Sequence, residues 1–383
     1  MKTVLGSATL VMGMAALPVH AGPTIPFGEQ GFITINYALQ TWMQYRDFRS
    51  ATNNADGWDT FLRRNRVTLS GQYNDSIGFY AQLEANGDSR NGVDDRSVFY
   101  RDAYITYDKS DAMRFIVGRF KNTFSRENLE ACLEPLTIDR AEVISYTPFG
   151  GTRDTGIAMW GNLADASFQY RVMLSDGRES NNVAKDSPRV TARAHWSLWD
   201  PEYDYGYRGT YLGTQKVLTF GIGYDFQANA AYADFTNRRD AQDYSAWTAD
   251  VFMEYPTVSG GTWTASAAYF DYSAGNAINQ DPDPELPQNS ELEAYYLKAG
   301  YMLPGNVGPG RLQFFYRHEN SDYASTSRYY DNTWNSIGFN YYIHGQQLKV
   351  SFEYADVSFD REHPSNPALQ DYNQATLGLQ FIF

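Results

Sequence analysis

The residues with the most chemistry to offer in this 383-residue chain are charged side chains set inside otherwise apolar, alternating segments. Side chains of a β-strand point alternately to its two faces, so parity sorts them. If the apolar members share one face, Arg64, Arg66, Arg171, Arg193, Lys298, Arg317 and Lys349 come out on the other, with His195 beside Arg193. The same parity gathers Glu84, Asp102, Asp225, Asp250, Glu254, Glu319 and Glu353 there, and Leu62 is the one misfit. Charges of both signs around a narrow passage set up a transverse field that orients dipolar solutes and gives a weak ion preference. The plainer alternative is that these charges pair with each other across neighbouring strands and only hold the wall together.

A second concentration lies in the connection 122–152, with Arg126, Glu127, Glu130, Cys132, Glu134, Asp139, Arg140 and Glu142. Some thirty residues without a strand pattern is too long for an idle loop. Ser125 through Leu133 reads as a short helix capped by Ser125, with Asn128 where a capping box usually carries Glu or Gln. Were this segment tucked inside a barrel, Lys121, Arg126 and Arg140 would stand near its narrowest point, where a low dielectric strengthens their pull on passing anions. Were it an external lid, they would not. The single cysteine, Cys132, reads as a packed thiol before it reads as a redox centre, since reactivity needs thiolate character and access. The five histidines show no metal-ligand spacing, and Gly150-Gly151-Thr152 lacks the lysine of a phosphate-binding loop. Asp281-Pro282-Asp283-Pro284-Glu285 reads as a stiff exposed loop, with weak Ca²⁺ binding as the lesser option. No nucleophile elbow or metalloprotease signature is present, so neither an enzyme nor a bound cofactor or metal is expected.

The elements that must position these charges are strands. From Phe32 onward the hydrophobic period is two, not 3.6. Sixteen strands are expected near 32–46, 60–74, 77–87, 97–107, 113–121, 153–162, 166–176, 188–199, 215–227, 244–256, 262–273, 291–303, 310–320, 333–344, 346–358 and 371–383. Long and short connections alternate, as the two rims of a barrel require, except at 200–214, where a short turn is due and a long stretch stands. That stretch is either an elaborated turn or a misread strand. Composition agrees with a barrel: aromatics reach 16%, with 30 Tyr and 23 Phe, while only 20% of residues are charged. A net charge of −14 excludes a protein that grips nucleic acid through overall charge. One cysteine excludes a disulfide framework.

Residues 1–21 read as a secretory signal peptide, with Lys2, an apolar stretch from Val4 to Leu17 and a Val19-His20-Ala21 cleavage site. Residues 22–383 then form an all-β transmembrane antiparallel barrel of about sixteen strands, exported to the outer membrane, with a long inward-folded loop after its fifth strand. A soluble sandwich alternates too. Against it, the polar face is rich in Gln, Asn, Ser, Thr and Gly, and aromatics such as Tyr45, Tyr73, Tyr107, Tyr255, Trp263 and Tyr354 gather at strand ends. The last strand ends on Phe383, as outer-membrane barrel assembly signals do.

Val117-Gly118-Arg119-Phe120-Lys121-Asn122-Thr123-Phe124-Ser125, followed by Glu127, Leu129 and Arg140, resembles the phosphate-selective porins of the O and P type. Phe61-Leu62-Arg63-Arg64-Asn65-Arg66 resembles the early Arg-Arg-x-Arg strand of the same family. These motifs cover about 60–141, and the general layout fits the whole mature chain. More narrowly, the chain resembles porins that accompany selenite and tellurite reduction or extracellular electron transfer. The resemblance implies a passive channel for small oxyanions such as phosphate, selenite or tellurite, a homotrimer, and a constriction formed by 122–152. Its alternative is a barrel sheathing a periplasmic or extracellular cytochrome as an electron conduit. The chain departs from the family in its acidity and in lacking a recognisable ladder of arginines.

Overall fold

The computed structural model describes residues 22–47, 57–85, 98–146, 151–179, 183–234, 236–275, 291–323, 329–364, 366 and 369–383. The expected signal peptide and the acidic loop 281–285 lie outside the described residues. A short strand β1 (Thr24–Phe27) is followed by β2 (Gly31–Arg46), β3 (Gly57–Gln72), β4 (Ile77–Ala85), β5 (Val98–Ser110) and β6 (Met113–Lys121). Then come β7 (Arg153–Leu163), β8 (Phe168–Ser175), β9 (Arg189–Ser197), β10 (Val217–Asp234), β11 (Arg239–Pro256) and β12 (Thr262–Ser273). The set ends with β13 (Leu292–Met302), β14 (Arg311–Tyr323), β15 (Asn332–His344), β16 (Leu348–Phe359) and β17 (Tyr372–Ile382).

From β2 to β17 each strand pairs antiparallel with its sequence neighbours, and β17 returns to β2 through pairs such as Leu377↔Met43. The sixteen expected strands are all present, and together they close into a barrel. Strand β1 adds a short extension on the edge of β2 that β17 leaves free, with Thr24 opposite Thr34. Closure removes every sheet edge, which a bilayer requires because hydrocarbon satisfies no backbone polar group.

The two faces are inverted relative to a soluble protein. Leu69, Ile105, Val117, Ile222, Leu297, Ile337 and Leu379 are exposed, whereas Gln40, Ser70, Thr191, Asp225, Thr248, Gln313 and Asn340 are buried. A sandwich would bury the first set. An Arg or Lys placed at the middle of the lipid face costs about 2–4 kcal/mol, so the charges go inward.

Leu62 has a structural explanation. Gln40 pairs with Arg64 and Thr41 with Leu62, leaving Arg63 as an extra residue in a β-bulge. The bulge resets the alternation, so Phe61, Arg64 and Arg66 are buried while Leu62 is exposed. A second bulge sits at Arg101, where Gln82 pairs with Asp102 and Leu83 with Tyr100.

Two connections leave the rims and enter the barrel. Residues 122–146 follow β6, and nearly every side chain over 122–144 is buried, including Thr123, Phe124, Arg126, Glu127, Leu129 and Leu136. A single turn of helix, α1 (Arg126–Leu129), is capped by Ser125, whose hydroxyl accepts the Asn128 N–H at 3.0 Å. The helix is shorter than the expected 125–133, because Glu130 leaves it to bridge Tyr207. The second inward segment is the connection 198–216, on the rim of the short turns, which buries Glu202, Tyr205, Tyr207 and Thr210. It is an elaborated turn, and no strand was misread there.

Candidate pore constriction

The two inward segments meet inside the barrel. The Ala131 N–H donates to the Tyr207 carbonyl at 2.8 Å, the Tyr207 N–H to the Leu129 carbonyl at 3.3 Å, and the Gly209 N–H to the Glu134 carbonyl at 3.0 Å. One segment comes from the long-loop rim and the other from the short-turn rim, so their junction crosses the lumen from both ends.

Each basic residue singled out from the sequence contacts one segment or belongs to it. Arg64 lies 2.6 Å from Asp139 and also donates to Gln40. Arg66 pairs with Glu84 at 2.8 Å and places Nη1 2.7 Å from the Cys132 sulfur. Lys121 donates to the carbonyls of Leu129 and Glu130 at 3.1 and 2.6 Å. Lys349 reaches the Leu133 carbonyl at 3.2 Å. Arg317 stands 2.8 Å from Glu319 and 3.5 Å from the Arg140 carbonyl. Arg140 itself turns back onto the carbonyls of Glu127 and Asn128. These residues hold 122–146 across the barrel, and Lys298 adds an ion pair to Glu127 at 2.5 Å.

The remaining three hold the other segment. Arg126 makes two 2.8 Å bonds to Glu202, with its guanidinium 4.5 Å from the Tyr207 ring and 3.8 Å from that of Phe252. Arg171 donates to the Tyr205 carbonyl and the Tyr207 hydroxyl, each at 2.8 Å. Arg193 pairs with Asp250 at 2.6 Å and donates to Tyr207 Oη at 3.1 Å. His195 Nδ1 completes the cluster, 2.6 Å from that hydroxyl. Arg126, Arg171 and Arg193 are therefore buried against a second wall of protein.

Sequence parity missed several partners. Arg63, freed by its bulge, pairs with Asp139 at 2.7 Å, and Arg101, on the other bulge, pairs with Glu84. A strict alternation sends both outward, and nothing short of the pairing register reveals the extra residue. Arg189 was within reach, since it shares parity with Arg193; it pairs with Asp225 at 2.5 Å. Arg153, at the start of β7, bonds both oxygens of Asp102 at 3.2 Å.

The electrostatics of the inward loop follow from this crowding. Burial opposes the charge on Asp139, yet Arg63, Arg64 and Arg140 hold its carboxyl well below the usual range. Burial also opposes ionisation of Cys132, and Arg66, Arg64, Arg101 and Lys121 outweigh it, holding the thiol well below its ordinary value. At Glu130 the balance goes the other way. Burial, and then the neighbouring Glu127 carboxylate, push it up to about 7.

Open space remains beside the junction. Toward the long-loop rim lies a cavity of about 440 Å³ whose lining includes Arg101, Arg119, Arg140 and Arg153 against Asp154, Asp176 and Glu179. Beside Cys132 lies a smaller one of about 160 Å³. Among the described residues no group of three or more His, Cys, Asp or Glu could hold a metal ion.

A barrel with a long inward loop after its fifth long strand is a porin arrangement, and the profile of the phosphate-selective porin O and P family matches residues 35–383. The chain belongs to that family. It is thus an outer-membrane porin, a channel rather than an enzyme. A protein of uncharacterised function from Aquifex aeolicus is 22% identical over 366 residues, covering 87% of this chain and 80% of the relative. Among solved structures, the anion-selective porin of Comamonas acidovorans is 10% identical with a TM-score of 0.59, covering 92% of this chain and all of that one. The outer membrane channel DcaP of Acinetobacter baumannii is 16% identical with a TM-score of 0.60, covering 95% of this chain and all of that one. OprB of Pseudomonas putida is 10% identical with a TM-score of 0.61, covering 92% of this chain and 94% of that one. At these identities the solved structures share the barrel fold with this porin and nothing finer.

Proposed function

We propose that this porin passes small hydrophilic anions, oxyanions such as phosphate, selenite or tellurite among them, by diffusion through the passage that the two inward segments narrow. The observation that carries the reading is the cavity on the long-loop side, where four arginines face three carboxylates. A chain with an acidic overall balance thus gathers four arginines at one place on its rim, two of them, Arg101 and Arg153, also paired with Glu84 and Asp102, and local fields decide which ions enter. Arg140 sits at the step from this cavity to the inward loop, so it and Lys121 are the proposed selectivity residues. Arg64, Arg66, Arg317 and Lys349 shape the constriction by holding that loop, and Arg126, Arg171 and Arg193 by holding the other segment. Chloride current through the purified protein should fall as phosphate is added, with Arg140→Ala weakening the effect severalfold. A current indifferent to phosphate would remove oxyanion preference from the account.

The reading includes export by the signal peptide at 1–21 and assembly as a homotrimer. OmpT of Vibrio cholerae, a structural relative at 12% identity with a TM-score of 0.55, is described in a trimer form. The outer face of this porin supports a subunit contact on one side. At the long-loop rim exposed or half-exposed aromatics such as Trp58, Tyr224, Trp247, Tyr295, Tyr316 and Tyr354 form a girdle. Across β6–β9 the large apolar residues exposed toward that level, among those described, are Val117, Ile157, Val172, Leu174 and Val190, with Arg119 and Thr155 exposed nearer the rim and no Trp or Tyr among them. A wall that meets lipid headgroups carries Trp and Tyr, whereas one that meets protein has no need of them. Two segments crossing the lumen speak against a barrel wide enough to sheathe a cytochrome.

A further inference from the structure

The 160 Å³ cavity beside Cys132 has a chemistry that inorganic oxyanions do not call for. One wall is a run of aromatic rings. Tyr80 and Tyr104 stack with centroids 5.1 Å apart, Tyr104 meets Phe120 edge-on at 6.0 Å, and Phe120 meets Tyr205 edge-on at 6.2 Å. All four line the cavity, together with Ile116, Leu129 and Leu133. A hydrated phosphate gains nothing from such a wall and loses water to reach it.

The other end of the same cavity is cationic, and one cation there stands apart. Arg66, Arg153 and Arg208 each have a carboxylate partner: Glu84, Asp102 and Glu134. Lys121 has none within ion-pair distance among the described residues. Its ammonium donates to two carbonyls, those of Leu129 and Glu130, which leaves one of its three N–H bonds unused. A half-buried ammonium without a carboxylate partner favours an anion that brings one.

Size selects further. A dry cavity of about 150 Å³ is known to hold one benzene ring. The cavity here is of that size, with an ammonium at one end and ring edges and faces along the side.

We propose that this cavity is a binding site for a small organic anion made of one planar ring and one carboxylate, benzoate being the simplest example. The ring packs on Tyr104, Phe120 and Tyr205, and the carboxylate takes the free N–H of Lys121. The site lies between β4–β6 and the junction of the two inward segments, so occupancy places the anion against the constriction. The proposal rests on the reading of the chain as an anion-preferring channel and narrows its substrate class.

The test is a ligand series on the purified, detergent-solubilised barrel, followed by titration calorimetry at pH 7.5. Benzoate should bind at least tenfold tighter than acetate, which lacks the ring, and than benzamide, which lacks the charge. Lys121→Met should bring benzoate down to the benzamide value, and Tyr104→Leu should bring it toward acetate, in variants whose heat-modifiable gel migration shows an intact barrel. Benzoate binding no tighter than acetate in the unaltered protein overturns the proposal, whatever the variants do. Chloride currents across a bilayer judge the channel reading separately. Conduction without benzoate binding removes this site and leaves the channel; benzoate binding without conduction does the reverse.

Discussion

At the scale of single residues, parity carried most of the information and backbone register the rest. Arg171, Arg193, Lys298 and Lys349 could be placed inside because each sits between outward-facing neighbours, and all are buried, as is Arg64. Their partners could not be read, because an ion pair such as Arg64–Asp139 joins residues 75 apart through a loop with no periodicity. Arg63 and Arg101 were hidden by bulges, which a single sequence does not mark. Glu130 offers a residue-scale prediction. Its carboxyl, pushed up to about 7 by burial and Glu127, is largely neutral below that pH and charged above it. Raising the pH from 6 to 8 adds a negative charge beside the constriction, so anion preference should fall. The zero-current potential in a salt gradient should shift accordingly, and Glu130→Gln should flatten the shift. An equal shift in that variant would assign the titration to another group.

At the scale of elements, the strands were legible and the inward segments only in part. The stretch 200–214 announced itself by its length on a rim of short turns, but its entry into the barrel depends on contacts made far away in sequence. Glu202 meets Arg126, and Glu254 on β11 accepts the N–H groups of Tyr211 and Gly213 at 2.8 and 2.7 Å and the Thr210 hydroxyl at 2.9 Å. Removing one member of a buried ion pair costs about 3–5 kcal/mol, because the other is left charged and unpaired. Glu202→Ala should therefore loosen the segment while the barrel wall, held by its own hydrogen bonds, stays closed. The expected outcome is larger and noisier single-channel currents. Replacing 202–213 with a short glycine-serine turn should raise conductance at least twofold. An unchanged conductance in both variants would mean that the loop after β6 alone sets the bore.

At the scale of the whole molecule, the alternation of apolar and polar side chains sufficed for the barrel, since a bilayer leaves few other ways to satisfy a backbone. Which part of the outer wall meets lipid is a finer question, and the proposed subunit contact makes it testable strand by strand. Val172→Arg, on the aliphatic stretch over β6–β9, should turn an oligomer into monomers on native gels, whereas Ile337→Arg on β15 should leave the oligomer intact. Dissociation by the second and not the first would place the contact on the opposite wall.

The central claim is that water fills a tube narrowed from both rims and lined with arginines at its mouth. Single-channel recording of the purified protein across a tenfold KCl gradient tests it most directly. The account predicts discrete conductance steps and a zero-current potential displaced toward that of chloride. A displacement toward potassium, or a protein that inserts and never conducts, contradicts it.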